Sequence, residues 1–415
     1  MRTKPRGELI ATLDVGTTKV VCFIARVEDD GEPKVIGIGH QVSRGVRTGT
    51  IVDMDAAEAA IGHAVNSAEQ MAGEQIRDVV VNLAGGHPAS QIVGVEMAIA
   101  GHDVGDVDLK RALRAHHHAA VPPDREVIHA VPVGYAIDGA RGIRDPRGMF
   151  GDRLAVEIHL VTANAGAVRN LSTCVSRCHL ETEGFVISPY SAGLACLVED
   201  EMELGCTVID MGGGTTSIAV FFEGRMVFAD CIPVGGHHVT NDIARGLTTP
   251  VVHAERMKVL YGSAIPNVSD EREIIDVPQV GEEEPTQANH VPRSLLTGII
   301  QPRMEEMFEL VRSRLEASGF DKVAGRRVVL TGGGSQLQGV RELAQLILDK
   351  QVRMGRPLAI NGLAESTCGP AFSTAAGLLA YAVRNQGDLV LGGTAEDEPQ
   401  GGLWSRLGGW LRDNL

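Results

Sequence analysis

Two stretches of this sequence place a carboxylate, a glycine turn and paired threonines in the same order. One is Asp14-Val15-Gly16-Thr17-Thr18-Lys19; the other is Asp210-Met211-Gly212-Gly213-Gly214-Thr215-Thr216. Glycine in a tight turn tolerates positive φ and lets backbone N–H groups come close to an anion, which suits a phosphate chain. Gly16, Thr17 and Thr18 on one side, and Gly212 to Thr216 on the other, can therefore grip a single polyphosphate. A carboxylate beside phosphate is tolerable only with a cation between them, so Asp14 and Asp210 imply Mg²⁺, held through water. Lys19 adds a point charge for the same phosphates. One such turn alone would read as a structural hairpin; the matched pair points to a nucleotide cleft.

The elements that must position these residues are legible around them. Apolar, partly β-branched runs enter and leave both turns, as expected of β-hairpins with special loops, and the repeat implies two homologous lobes. A third turn, Thr331-Gly332-Gly333-Gly334-Ser335, follows a strand at 327–330 and precedes a helical pattern at 337–348. It belongs neither to a P-loop, since no G-x-x-x-x-G-K-[ST] occurs, nor to a dinucleotide fingerprint, which would need a further glycine at 337 and a following acidic residue. Between the hairpins, short strands around a helix at 108–119 make residues 85–160 an inserted α+β subdomain. Residues 270–292 are acidic, carry prolines and show little periodicity, which predicts an exposed loop. Residues 391–402 have almost nothing to bury and form a tether.

The chain has 415 residues, 44% of them hydrophobic, enough for roughly two to four cores. A formal charge of -15 excludes a nucleic-acid footprint, which needs clustered Lys and Arg. Seven cysteines without zinc spacing fit reduced thiols, and Cys174 and Cys178, one helical turn apart, read as packing residues. The first eight residues are charged and include Pro5, so a secretory leader is not expected. No stretch approaches the ~18 to 20 apolar residues that cross a bilayer. His116 to His118 point different ways on a helix and read as a solvated face rather than a metal site, and the same reading covers His237 and His238.

The last residues behave differently. Leu403, Trp404, Leu407, Trp410, Leu411 and Leu415 have helical spacing and fill an arc of about 140°. Both tryptophans of the chain lie here, and Trp favours the membrane-water interface. A helix docked back onto the body is the competing reading. Arg406 and Arg412 would each contribute only ~1 kcal/mol near anionic lipid, with Asp413 opposing them. Apolar insertion, at ~1.5 to 3 kcal/mol per buried side chain, must dominate, while Gly408 and Gly409 each cost ~1 kcal/mol of helix stability. One anchor is marginal, so durable attachment needs several tails held together by self-association.

Taken with Ser43-Arg44-Gly45, Ala136-Ile137-Asp138 and Ser373 to Leu379, these motifs make nearly the whole chain resemble the FtsA family, the bacterial cell-division branch of the actin superfamily. The resemblance implies an α/β, actin-like two-lobed ATPase fold with an SHS2-like insertion in the first lobe and a C-terminal amphipathic helix. The expected organisation is a first-lobe core at 8–84 and 161–200, the insertion at 85–160, a second-lobe core at 201–240 and 310–390, its small subdomain at 241–309, a linker at 391–402 and a membrane-targeting helix at 403–415. It further implies that Gly332, Gly333, Gly334 and Ser335 meet the adenosine of ATP, flanked by Glu255 and Lys258, which alone would be an ordinary i, i+3 pair. In the position where relatives of this superfamily carry a catalytic Glu, the resemblance places Ser188, a poor base, so turnover is expected to be slow at most. The partners implied are the C-terminal tail of the polymer FtsZ, further copies of the chain, anionic lipid at the cytoplasmic face of the inner membrane, and later division proteins. Arg293 and Arg303 are the candidate receptors for the FtsZ tail, and equally fit solvated surface residues. The alternatives are a pilus-assembly adaptor of the same superfold and a small-molecule kinase, for which no acceptor-activating carboxylate motif is found.

Overall fold

The computed structural model describes residues 7–99, 101–115, 121–281 and 289–384. The chain begins with β1 (Leu9–Val15), β2 (Lys19–Val27), β3 (Pro33–Val42), a small ribbon of β4 (Val46–Arg47) and β5 (Thr50–Ile51), α1 (Met54–Ala72) and β6 (Asp78–Leu83). The inserted part contributes β7 (Ala89–Ala98), α2 (Asp106–Arg114), β8 (Arg125–Ile137), β9 (Ala140–Ile143) and β10 (Arg153–Asn164). The first lobe closes with α3 (Ala165–Arg177), β11 (Glu181–Ile187) and α4 (Ser188–Cys196), and α5 (Glu199–Leu204) leads onward. The second lobe holds β12 (Cys206–Met211), β13 (Thr216–Phe222), β14 (Arg225–Ile232), α6 (Gly236–Gly246), α7 (Val251–Tyr261), β15 (Ile274–Val277), β16 (Asn289–Pro292) and α8 (Arg293–Ser318). It ends with β17 (Arg327–Thr331), α9 (Val340–Leu348), β18 (Gln351–Met354) and α10 (Ser373–Arg384).

The internal repeat extends from the turns to whole sheets. One sheet runs β3-β2-β1-β6-β11 and the other β14-β13-β12-β17-β18. In each, the first three strands form an antiparallel meander, and the other two join in parallel on the free side of its first strand. Strand β12 is buried throughout, as a central strand covered by helices on both faces must be. The covering helices approach closely where the sequence supplies glycine. A Cβ on Gly39 would lie 1.7 Å from the Ala64 carbonyl of α1, and one on Gly377 would lie 1.7 Å from the Ser191 carbonyl, so α4 and α10 cross backbone to backbone. Apolar packing runs without a break from the first sheet under α4 to Val208, Ala219 and Phe221 of the second.

The insertion is an antiparallel sheet, β7-β10-β8-β9, with α2 packed on it through Leu109, Ala112 and Leu113. Its docking is polar. His159 bonds the Met226 carbonyl (2.9 Å) and Ser90 Oγ (2.8 Å), and Ser90 both donates to the Ala229 carbonyl and accepts from its N–H, so the inserted sheet is tied to β14 of the other lobe. Four expected boundaries fall inside elements, at 160/161 in β10, 200/201 in α5, 240/241 in α6 and 309/310 in α8. The reason is continuity: each of these elements serves two neighbouring units with one unbroken hydrogen-bonded segment.

The exposed loop expected at 270–292 is corrected by the structure. Strands β15 and β16 pair there, Asp270 is 1% exposed, and Ile275 and Val277 are buried. Two inward positions are too few to give a visible period. The helix expected at 108–119 is α2, starting at Asp106, and residues 116–120, including His116 to His118, lie outside the described residues. The tether and the amphipathic segment at 403–415 also lie outside them. Among the described residues no helix is long and apolar enough to cross a membrane.

Candidate nucleotide cleft

The two hairpin turns close with the same bond, Gly16 N–H to the Lys19 carbonyl (3.0 Å) and Gly212 N–H to the Thr215 carbonyl (2.8 Å). Their tips then meet across the lobes. A Cβ on Gly213 would lie 1.9 Å from Thr18 Oγ1, and one on Gly214 would lie 2.5 Å from Thr17 Oγ1 and 2.9 Å from the backbone of Thr48. Only bare backbone fits there, which is the physical reason for glycine at both positions. Behind the tips opens a cleft of about 480 Å³, lined from both lobes. Gly332, at φ 84°, begins the third turn on its far wall, and a Cβ on it would lie 2.3 Å from Asp210 Oδ1.

The hairpin end of the cleft is charged. Burial pushes the Asp14 carboxyl up to about 7, against the pull of Lys19 and with a further push from Asp210. Burial likewise raises Asp210 to about 6, opposed by the hydrogen bond it accepts from Thr374 (3.0 Å) and by Lys19. Lys19 is lowered by burial; its ammonium donates to the Ala371 carbonyl and stands 3.9 Å over the Phe372 ring. Asn82 accepts from Val15 N–H (2.6 Å) and donates to Ser188 Oγ (3.1 Å), fixing the wall beside Asp14. Two buried carboxylates beside one lysine, facing a glycine cradle, suit a hard divalent cation whose other ligands are phosphate oxygens and water. No group of three His, Cys, Asp or Glu able to hold a metal unaided occurs among the described residues.

The opposite end is apolar, lined by Val259, Leu260, Met304, Met307 and Leu337. Lys258 lies between the two ends and donates to Glu255 (2.7 Å), Thr240 Oγ1 (2.8 Å) and the Gly236 carbonyl (3.1 Å). Burial would raise the Glu255 carboxyl, but Lys258 and Thr240 hold it below the usual range.

Most of the residues singled out in the sequence line this one cleft: Asp14, Gly16, Thr17, Thr18, Lys19, Asp210, Gly212, Gly213, Gly214, Thr215, Glu255, Lys258, Gly332, Gly333 and Gly334. Thr216 and Ser335 do not. Thr216 is 1% exposed and donates to the Val234 carbonyl, while Ser335, 2% exposed, donates to the Gly332 carbonyl, so both hydroxyls brace turns instead. Arg293 and Arg303 lie on α8 and are engaged by the protein's own acids, Arg293 with Asp270 and Glu273, Arg303 with Asp242 and Glu306. Sequence reasoning missed Asn82, His237, Met304, Met307 and Thr374 as cleft residues. Thr374 stood within the 373–379 motif. His237, read from the sequence as part of a solvated face, is corrected: it is half-buried in the cleft wall because α6 starts directly behind the second hairpin. Asn82, Met304 and Met307 carry no local signal.

Comparison with known proteins supplies the remaining context. A family model described as "Cell division protein FtsA" matches residues 207–377, and one described as "SHS2 domain inserted in FTSA" matches residues 85–162. The chain is 47% identical to the cell division protein FtsA of Rhizobium meliloti (strain 1021), over 100% of this chain and 97% of that one. It is 37% identical to the Pseudomonas aeruginosa FtsA over the full length of both, and 34% identical to that of Escherichia coli (strain K12) over 98% of each. Its fold is similar to that of a chain in the PilM-PilN type IV pilus biogenesis complex, with TM-score 0.63, 17% identity and coverage of 91% and 99%. It is also similar to MreB5 of Spiroplasma citri bound to ADP, with TM-score 0.54, 15% identity and coverage of 91% and 97%. The two-lobed architecture is thus actin-like with an SHS2 insertion, and the chain belongs to the FtsA family of cell division proteins.

Proposed function

We propose that this cell-division protein is an ATP- and Mg²⁺-clamped adaptor that self-associates on the cytoplasmic face of the inner membrane. In this reading residues 403–415 enter the lipid as an amphipathic helix, the small subdomain of the second lobe takes the FtsZ tail at Arg303, and later division proteins are recruited to the assembly. The observation that carries the reading is the meeting of the two glycine hairpins, Thr18 against Gly213, over the buried pair Asp14 and Asp210. A ligand bridging those turns stabilises one lobe arrangement over others in proportion to its preference for it. The ADP and AMPPNP complexes of MreB5 support a nucleotide in a cleft of this fold.

Turnover is proposed to be slow. The acids lining the described cleft are Asp14, Asp210 and Glu255; the first two face the cation position and the third is held by Lys258, while Ser188 is tied to Asn82. None is a free base for water. Nucleotide then acts as a strut between lobes. The similarity to the pilus complex extends to the fold alone, whereas full-length identity runs with the division proteins.

Co-sedimentation with anionic liposomes tests the reading. The intact chain with MgATP and FtsZ is expected in the pellet and the chain lacking 403–415 in the supernatant; equal pelleting of both contradicts the anchor.

A further inference from the structure

We infer that Arg293, expected to receive a partner's carboxylates, is instead the positioning residue of the nucleoside end of the cleft. This rests on the nucleotide reading above. Its side chain is only 13% exposed. Nε donates to the Tyr261 carbonyl (2.7 Å), Nη1 to Glu273 (3.1 Å), and Nη2 to Gln338 Oε1 (2.8 Å), while Asp270 stands 3.3 Å from Nη1. A planar guanidinium holds several acceptors in one fixed fan, which a flexible ammonium does not.

The acceptors come from three separate segments that shape the apolar end. Tyr261 ends α7 and sits between Leu260 and Gly262, both lining the cleft. Gln338 lines it from the other side, following the third glycine turn, and its carbonyl accepts from Ala264 N–H at 2.8 Å. Clearance there is small: a Cβ on Gly262 would lie 3.0 Å from Leu337 Cδ1. Glu273 and Asp270 anchor the guanidinium from the base of the β15–β16 ribbon. Arg293 thereby locks the spacing between Leu260 and Leu337, the walls between which a base would slide. The glycine hairpins and Lys19 have no bond to it, so the polyphosphate end does not depend on it.

Asp270 is 1% exposed, so removing Arg293 alone strands a buried charge and endangers folding. The test therefore uses the full-length double variant Asp270→Asn with Arg293→Gln, beside Asp270→Asn alone and Arg293→Lys, which keeps the charge but not the fan. Calorimetry with MgADP and with inorganic tripolyphosphate plus Mg²⁺ reads the two ends separately. The double variant and Arg293→Lys are expected to bind ADP about tenfold more weakly, as loss of a charge-assisted bond implies, with tripolyphosphate unchanged within about twofold. Asp270→Asn alone is expected to match the wild type. Parallel weakening of both ligands, or full ADP affinity in the folded variants, overturns the inference while leaving the nucleotide reading intact. A wild-type chain that binds neither ligand overturns both.

Discussion

Thr18 Oγ1 occupies the space in which a side chain on Gly213 would begin, 1.9 Å from that Cβ position. The two residues come from opposite lobes, so the contact measures how far the cleft is shut. A hairpin loop on one lobe and its counterpart on the other are fitted to each other as well as to a ligand.

Gly213→Ala is expected to wedge the tips apart. Overpacking at a backbone contact costs ~1–3 kcal/mol, which predicts roughly tenfold or greater loss of nucleotide affinity with the melting temperature of the nucleotide-free chain little changed. Adding Thr18→Ala removes the clashing oxygen and should restore most of the affinity. A double-mutant cycle by calorimetry reads this coupling, and additivity of the two losses would contradict it.

The buried carboxylates give a pH dependence with opposite signs for binding and stability. Mg²⁺ needs Asp14 and Asp210 ionised, so metal-nucleotide affinity should fall as pH drops through about 7 and 6. Stability runs the other way. Asp210 is raised to about 6 from 3.8, so folding penalises its ionised form: stability is full below 3.8 and is lost as pH rises through 6. Asp210→Asn should therefore stabilise the nucleotide-free chain at pH 8, by about 3 kcal/mol at most, and give no gain near pH 4. Chemical denaturation at the two pH values checks it.

The inserted sheet should loosen in acid. Burial holds His159 down at about 4, so it is neutral while docked against β14. Its contribution is fully present above 6.5 and is lost as pH falls toward 4, because the unfolded or undocked ring takes up a proton more readily. Hydrogen exchange of the inserted strands should rise across that window in the wild type. His159→Gln should weaken docking at neutral pH, by ~1–3 kcal/mol, and flatten the pH response.

What could be read from the sequence, and what could not, follows from chain distance. The hairpins were legible because Asp, Gly and Thr stand together within seven residues and occur twice, and the repeat then predicted two lobes whose sheets share one strand order. Met304 and Met307 carried no sign of lining a cleft, since an apolar i, i+3 pair on a helix reads as core; both are indeed nearly fully buried. Thr216 and Ser335 fitted the motifs, yet their hydroxyls serve Val234 and Gly332, a distinction that only side-chain direction reveals. Arg293 read as a surface cation because its acceptors lie 20, 32 and 45 residues away, at Glu273, Tyr261 and Gln338.

The most direct test titrates the full-length chain with ATP by calorimetry, with and without Mg²⁺, alongside Asp14→Asn combined with Asp210→Asn. A single saturable site that needs Mg²⁺ and disappears in the double variant is expected. Heat of binding that is absent in the wild type, or unaltered by loss of both carboxylates, would contradict a triphosphate clamped between these hairpins.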